Sequence, residues 1–182
     1  ALAHLYLARM QAVRKLYLDS LKALPTDFSV KNQMLFWGML QDHHRAAAKY
    51  CELTGDGSTK LMGIVSNFSV CAARKYFTND ADLHRHVVHN LTHLLLSHQQ
   101  PSNWIGRLGG GWADEGLAHW MEDRIVGVCG TFCYEEVNSA AGTAPGAGRV
   151  PWRRLVSKGE APGLPSMLTL NTDQLSKEQH MA

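Results

Sequence analysis

The sequence predicts an α+β fold, because long helical patterns alternate in it with short strand patterns. A run from Asp82 to His98 contains no Pro or Gly and spaces its apolar residues as a helix does. Shorter apolar runs before it are bounded by turn residues, which favours strands. With 182 residues, 45% of them hydrophobic, the chain is long enough to bury a core. The predicted order is helix, strand, helix, strand, strand, helix, followed by a mainly helical remainder.

The N-terminal stretch predicts a packing helix. Its apolar residues recur at helical spacing among Arg and Lys residues, and a proline ends the pattern. We therefore expect a packing helix over residues 1–25 and one domain over residues 26–182. Near the end, Ser176 and Gln179 form a capping-box pattern that would open another helix. Because the sequence stops at Ala182, we expect the natural domain to continue past that residue.

Three apolar runs predict the strands. Asn32–Leu40 is short, apolar and aromatic, which favours a buried strand. Leu61–Val65 and Phe68–Phe77 contain β-branched and aromatic residues and flank a Ser-Asn pair, so two strands joined by a tight turn are expected. Between the first and second runs, Gln41–Leu53 contains three consecutive alanines and precedes a glycine-rich turn. Those features predict a helix.

The run from Asp82 to His98 predicts the central helix, and a Thr-Asn-Asp sequence just before it supplies capping residues. Its leucines and valines fall on one side, and His86, His89 and His93 fall roughly opposite. His89 and His93 are four residues apart, so their imidazoles stand one above the other and can converge on one metal ion. Ten histidines raise the chance of coincidental pairs, so this pattern alone is weak evidence.

Other potential metal ligands are less informative. His43 and His44 are adjacent and therefore point about 100° apart on a helix, which makes a poor joint metal site. We expect both to be exposed to solvent. The four cysteines contain no C-x-x-C pair and are expected to be buried or free thiols. The sequence also allows one disulfide among them. The cysteines are Cys51, Cys71, Cys129 and Cys133.

Charge and hydropathy exclude two broad classes of partner. The net charge is +2, and the Lys and Arg residues are scattered, so nothing predicts nucleic-acid binding. No apolar run reaches the eighteen or so residues that span a bilayer, so no membrane span is expected. The cellular compartment stays open.

A catalytic zinc ion needs three protein ligands and one open position, so a third residue must join His89 and His93. Glu115 is the natural candidate, since it lies in the first turn of a second helical pattern, Trp112–Val126. The loop between the two helical patterns is long enough to reverse the chain direction. Gly116 would allow close approach of the backbone.

His89-x-x-x-His93 followed by Trp112-Ala113-Asp114-Glu115-Gly116-Leu117-Ala118 resembles the gluzincins, the thermolysin-type zinc metallopeptidases. In that family H-E-x-x-H precedes a helix of the form W-x-x-E-G-x-A. The resemblance covers residues 30–127. It implies a zincin-like fold, in which a small mixed β-sheet packs on the active-site helix. It also implies a zinc ion held by His89, His93 and Glu115.

The chain departs from the family at Asn90, which stands where the family has the glutamate that acts as general base. An amide has no titratable proton near neutral pH, so it cannot move the proton that peptide hydrolysis requires. A second departure is His119, which lies where family members carry a carboxylate that orients a ligand. His119, His86, Asp114 and Glu122 are candidates for the surroundings of the metal.

These features predict a zinc-binding pseudo-peptidase, a catalytically inactive or strongly impaired domain that binds a peptide or protein segment in its cleft. Three alternatives stay open. The chain could be an active metallopeptidase or other hydrolase that uses another base, Glu122 or a histidine such as His119. It could be an enzyme inactivated deliberately at residue 90. It could also be a structural domain in which the histidines are incidental.

Overall fold

The computed structural model describes residues 2–28, 30–53, 60–62, 67–73, 77, 79–99, 111–128, 154, 156–160 and 163–170. The chain divides into two compact units, residues 1–102 and residues 103–182. The elements of the first unit are α1 (Leu2–Leu21), β1 (Met34–Trp37), α2 (Leu40–Tyr50), β2 (Lys60–Met62), β3 (Phe68–Cys71) and α3 (Asp80–Gln99). Those of the second are α4 (Gly111–Val126) and the short α5 (Leu164–Met167).

The first unit has the predicted α+β character. Its strands form one mixed three-stranded sheet in the order β1-β3-β2. Strand β3 pairs parallel with β1, in the register that joins Met34 to Phe68, and antiparallel with β2, in the register that joins Leu61 to Ser69. The parallel pair needs a crossover connection, which helix α2 provides. The predicted order of elements from α1 to α3 is therefore confirmed.

The core of the first unit lies between the sheet and the two long helices. Phe68 and Val70 project from one face of β3 and pack with Leu83 and Val87 of α3. Tyr6 of α1 joins the same cluster. Helix α1 packs against α3. Successive strand residues point to opposite faces, so Ser69 faces α2 from the other side of the sheet.

Strand β1 is less buried than predicted. It is the edge strand next to β3, and Phe36 is 37% exposed while its neighbours are half-buried. An apolar run indicates a strand but does not distinguish an edge position from a central one. The central position belongs to β3, whose four residues are all buried. Strand β3 also ends at Cys71, earlier than the predicted Phe77.

The expectation that His43 is exposed was wrong. His43 is fully buried, and its Nδ1 lies 2.8 Å from Ser69 Oγ on β3. The helix α2 turns this side chain, together with Ala46 and Ala47, toward the sheet. His44, one residue on, is half-buried and lies 100° around the helix. The Ser69 hydroxyl gives the buried imidazole a polar partner, which makes its burial tolerable.

Cys51 and Cys71 are buried thiols that form no disulfide, as predicted for these two residues, and Cys51 Sγ donates to the Asn67 carbonyl at 2.8 Å. No helix among the described residues is long and apolar enough to cross a membrane. Several sequence predictions lie outside the described residues. They concern the loop after Gln99, Cys129, Cys133, the Ser66 turn and the capping box at Ser176.

Candidate metal centre

Helix α3 carries the histidine pair. It begins where Asn79 Oδ1 accepts a hydrogen bond from the backbone N–H of Asp82, at 2.8 Å, so the predicted cap is confirmed at this residue. Asp80 and Asp82 add negative charge at the positive end of the helix dipole. The helix then runs for 20 residues to Gln99 without a Pro or Gly. His89 and His93 lie near the middle of this helix, and both are buried.

The polar side chains of α3 are enclosed together with its apolar ones. Fourteen of its residues are buried, so polar groups lie where the effective dielectric constant is low. Several are satisfied by a carbonyl oxygen one turn earlier. Thr92 Oγ1 donates to the Val88 carbonyl at 2.9 Å, and Ser97 Oγ donates to the Leu94 carbonyl at 2.7 Å. So many buried polar residues on one helix suggest that some of them have a functional role.

His89 and His93 converge. His89 is fully buried and His93 is 2% exposed. Their Nε2 atoms lie 3.0 Å apart, and the rings meet edge to face with centroids separated by 4.7 Å. Two nitrogens bound to one tetrahedral zinc ion at about 2.0–2.1 Å would lie roughly 3.3 Å apart. The observed separation is close to that spacing, so these two imidazoles could bind one metal ion.

Asn90 is held back against its own helix. Its Nδ2 donates to the carbonyl oxygen of His86 at 2.9 Å, and the side chain is 5% exposed. This is a hydrogen bond from a side chain to the backbone carbonyl four residues earlier on the same helix. Asn90 thus presents a neutral amide in the buried region next to His89. It offers no proton acceptor comparable to a carboxylate.

His86 takes a different position from the converging pair. It is half-buried, and its ring meets Phe77 edge to face with centroids 4.9 Å apart. Its backbone carbonyl, rather than its ring, makes the contact with Asn90. The structure therefore places His86 in an aromatic contact one turn before His89. It was predicted as a candidate for the surroundings of the metal.

In the second unit, α4 carries the predicted acidic ligand. Asp114 and Glu122 are fully buried, whereas Glu115 and His119 are half-buried. Glu115 and His119 are one turn apart and share a helix face. The helix ends at Gly127, whose φ of 82° lets its N–H donate to the carbonyls of the last turn. The predicted helical pattern from Trp112 is confirmed.

Buried histidine and carboxylate side chains among the described residues could hold a metal ion. Two sets have the appropriate ligand atoms, the first being His89, Glu115 and His119 and the second His93, Asp114 and Glu115. Imidazole nitrogen and carboxylate oxygen are both ordinary zinc ligands. The sequence analysis singled out all five residues, with Asp114 and His119 as candidates for the surroundings of the metal and His119 also as a possible further ligand.

No family model, characterised protein or solved structure matches the chain.

Sequence reasoning missed one buried polar pair, His43 and Ser69. The two residues are 26 positions apart and meet only because α2 packs on β3. No local pattern signals such a contact. The alternation of side chains along β3 places Ser69 on the face opposite Phe68 and Val70, but the sequence does not reveal which helix covers that face.

Proposed function

We propose that this chain is a gluzincin-like zinc-binding domain that lacks the general base of a peptidase. In this proposal His89, His93 and Glu115 hold the metal, and the surrounding fold is zincin-like. The domain acts by binding a peptide or protein segment rather than by cleaving it. The observation that carries the proposal is the 3.0 Å separation of two buried imidazole nitrogens on one helix.

The burial of His89 and His93 favours a metal site over a coincidental pairing of two histidines. On an exposed helix face, two histidines four residues apart could each adopt several side-chain rotamers, and their rings would not be held together. His89 and His93 are instead almost completely buried, which restricts the orientations that their rings can adopt. A preformed pair loses little conformational entropy when it binds an ion.

Glu115 supplies the third ligand in this proposal. A carboxylate balances part of the charge of the dication, and with two imidazoles it gives the three-ligand set of a catalytic-type zinc site. Its neighbour Asp114 and the histidine one turn later, His119, have the donor chemistry to orient a ligand or to replace one. The sets of residues that could hold a metal include all three.

Asn90 determines what such a site can do. When bound, zinc supplies a Lewis acid that polarises a carbonyl and lowers the pKa of a water. The chain itself must supply the proton transfer, and at position 90 it has an amide whose Nδ2 already donates to the His86 carbonyl. General acid–base assistance is worth about 10²–10⁴-fold in rate, so peptide hydrolysis should fall by about that factor.

The substitution Asn90→Glu tests this function. We expect the zinc-loaded variant to hydrolyse peptides at a rate about 10²–10⁴-fold above the unmodified chain, and to lose that activity when a chelator removes the metal. Asn90→Gln is the matched control, because it has the same length as Glu but no titratable carboxylate. It should stay inactive.

Two results would count against the proposal. An unmodified chain that already hydrolyses peptides as fast as Asn90→Glu would mean that another residue serves as base. An Asn90→Glu variant that binds zinc, keeps its helical circular dichroism spectrum and shows no activity would mean that more than the base is missing.

A further inference from the structure

A cavity in the first unit lies between the N-terminal half of α1, the sheet and α3. Its volume is about 420 Å³, within the range of roughly 300–1,000 Å³ that is typical of small-molecule sites. None of the candidate metal ligands is among the described residues that line it. Those lining residues all present apolar surface, and they are Ala3, Tyr6, Leu7, Met10, Met34, Phe36, Ala72 and Leu83.

The cavity follows from the way α1 packs. In the second half of this helix, Val13 and Tyr17 are fully buried. In the first half, Ala3 and Leu7 line the cavity and are nevertheless exposed, Leu7 by 51%. On the side of the sheet, Phe36 also lines the cavity and is 37% exposed. Apolar side chains therefore face water at the mouth of the cavity, and a ligand that covered them would be favoured by the hydrophobic effect.

The wall around Tyr6 is held in place before any ligand arrives. Tyr6 is 6% exposed, and its ring stacks on His84 with centroids 4.1 Å apart. The same ring contacts Phe36 at a centroid distance of 4.9 Å. Met10 and Met34 complete the wall with flexible side chains that adapt to the shape of an apolar ligand. A largely preformed wall reduces the entropy cost of binding.

The charges near the cavity do not favour an ion of either sign. Burial, followed by the positive charge of Arg9, lowers the pKa of His84, while Asp80 acts in the opposite direction. A cation and a carboxylate thus lie on the same side of the cavity, around His84. The described residues that line the cavity carry no charge. A charged group inside it would lose its hydration without gaining a counter-charge, so the ligand should be uncharged.

We propose that this cavity binds an uncharged, extended apolar chain. The residues of α1 that line it form one stripe from Ala3 to Met10. This stripe extends about 10 Å along the helix axis, which is roughly the length of a straight chain of eight carbon atoms. The volume agrees, since an apolar cavity of about 150 Å³ holds one benzene molecule and this cavity is nearly three times larger.

The experiment titrates 1-octanol into the full chain, treated with chelator and carrying ¹³C-labelled methionine methyl groups. We expect the methyl signals of Met10 and Met34 to shift and to saturate together, because both residues line the cavity. The signal of Met39, which is 61% exposed and is not among the lining residues, should not move. Octanoate is the charged counterpart and should bind at least about tenfold more weakly, since its carboxylate finds no counter-charge in the lining.

A pair of variants then assigns the binding to the cavity. Ala3→Leu fills part of the space from an exposed helix position, where leucine is well tolerated. The dissociation constant for 1-octanol should rise about tenfold or more, because the added side chain occupies the volume that the ligand needs. Ala8→Leu is the matched control, since Ala8 is exposed on the same helix and is not among the lining residues. Its dissociation constant should stay within about twofold of that of the unmodified chain.

Each remaining outcome would overturn a stated part of the proposal. Methyl signals of Met10 and Met34 that do not shift up to the solubility limit of 1-octanol would show that the cavity binds no such chain. Equal dissociation constants for folded Ala3→Leu and Ala8→Leu would place the ligand elsewhere on the protein. Equal affinities for octanoate and 1-octanol would overturn the preference for an uncharged ligand. Because the protein is free of metal throughout, none of these results bears on the proposed zinc site.

Discussion

The Nε2 atoms of His89 and His93, two residues one turn apart on α3, lie 3.0 Å from each other, and both side chains are buried. Two neutral imidazoles can share such a contact only if one ring donates a proton and the other accepts it. A metal ion removes this requirement, because both nitrogens then act as electron-pair donors to the same centre. Helix geometry alone brings the two residues to one face.

The cap of α3 should contribute measurably to the stability of the first unit. Asn79→Ala removes the Oδ1 acceptor of the Asp82 N–H, and we expect the free energy of unfolding in urea to fall by about 0.5–2 kcal/mol. Asn79→Ser is the control, because its hydroxyl can accept the same bond and should retain most of the stability. Equal losses in both variants would show that the side-chain bond at residue 79 is not what stabilises the helix end.

Removing one partner of the buried pair His43 and Ser69 should lower the free energy of unfolding. Ser69→Ala leaves His43 Nδ1 without the hydroxyl that lies 2.8 Å away, and a loss of about 1–3 kcal/mol in the free energy of unfolding is expected. Chemical denaturation measures it. In the double variant with His43→Leu both polar groups are gone, so its loss should be smaller than the sum of the two single losses. Strict additivity would mean that the two side chains do not interact.

Acidification should destabilise the protein partly through His98. Burial lowers the pKa of His98 below its ordinary value of 6.5, so the unfolded chain binds more protons than the folded chain as the pH falls through 6.5. Stability contributed by the neutral ring is therefore complete above pH 6.5 and decreases below it. The rings of His98 and Phe28 meet edge to face, and His98 Nε2 lies 2.7 Å from Asn32 Oδ1.

The measurement is the melting temperature of chelator-treated protein between pH 7.5 and 5. His98→Gln should show a shallower fall with decreasing pH than the unmodified chain. His4→Gln is the matched control, because His4 is an exposed histidine on α1 and its removal should leave the slope unchanged. If His98→Gln and the unmodified chain lost stability in parallel, the titration of His98 would not contribute.

Local sequence patterns predicted the helices and strands of the first unit because those patterns follow backbone periodicity. The run from Asp82 to His98 contains no helix breaker, and its first turn has a cap. Periodicity could not predict that β1 is an edge strand or that His43 is buried. Both depend on which elements pack together, and that is decided by contacts between residues distant in sequence.

The candidate site was predictable in part for the same reason. The pairing of His89 and His93 follows from a spacing of four on one helix, which is local. The expectation that Glu115 joins them came from the resemblance to the gluzincins and from its place in the first turn of α4. Helical periodicity by itself could not rank Asp114 and His119 against Glu115, since neighbouring residues on a helix differ in direction and only the packed structure decides which point inward.

Zinc content tests the central claim most directly. The full chain, purified without chelator and dialysed against metal-free buffer, should carry about one zinc ion per molecule by elemental analysis. The double variant His89→Ala/His93→Ala should carry almost none and keep its helical circular dichroism spectrum, while His4→Ala should keep the full amount. A zinc-free unmodified chain that also fails to take up added zinc, or a double variant that retains the same zinc, would contradict the account.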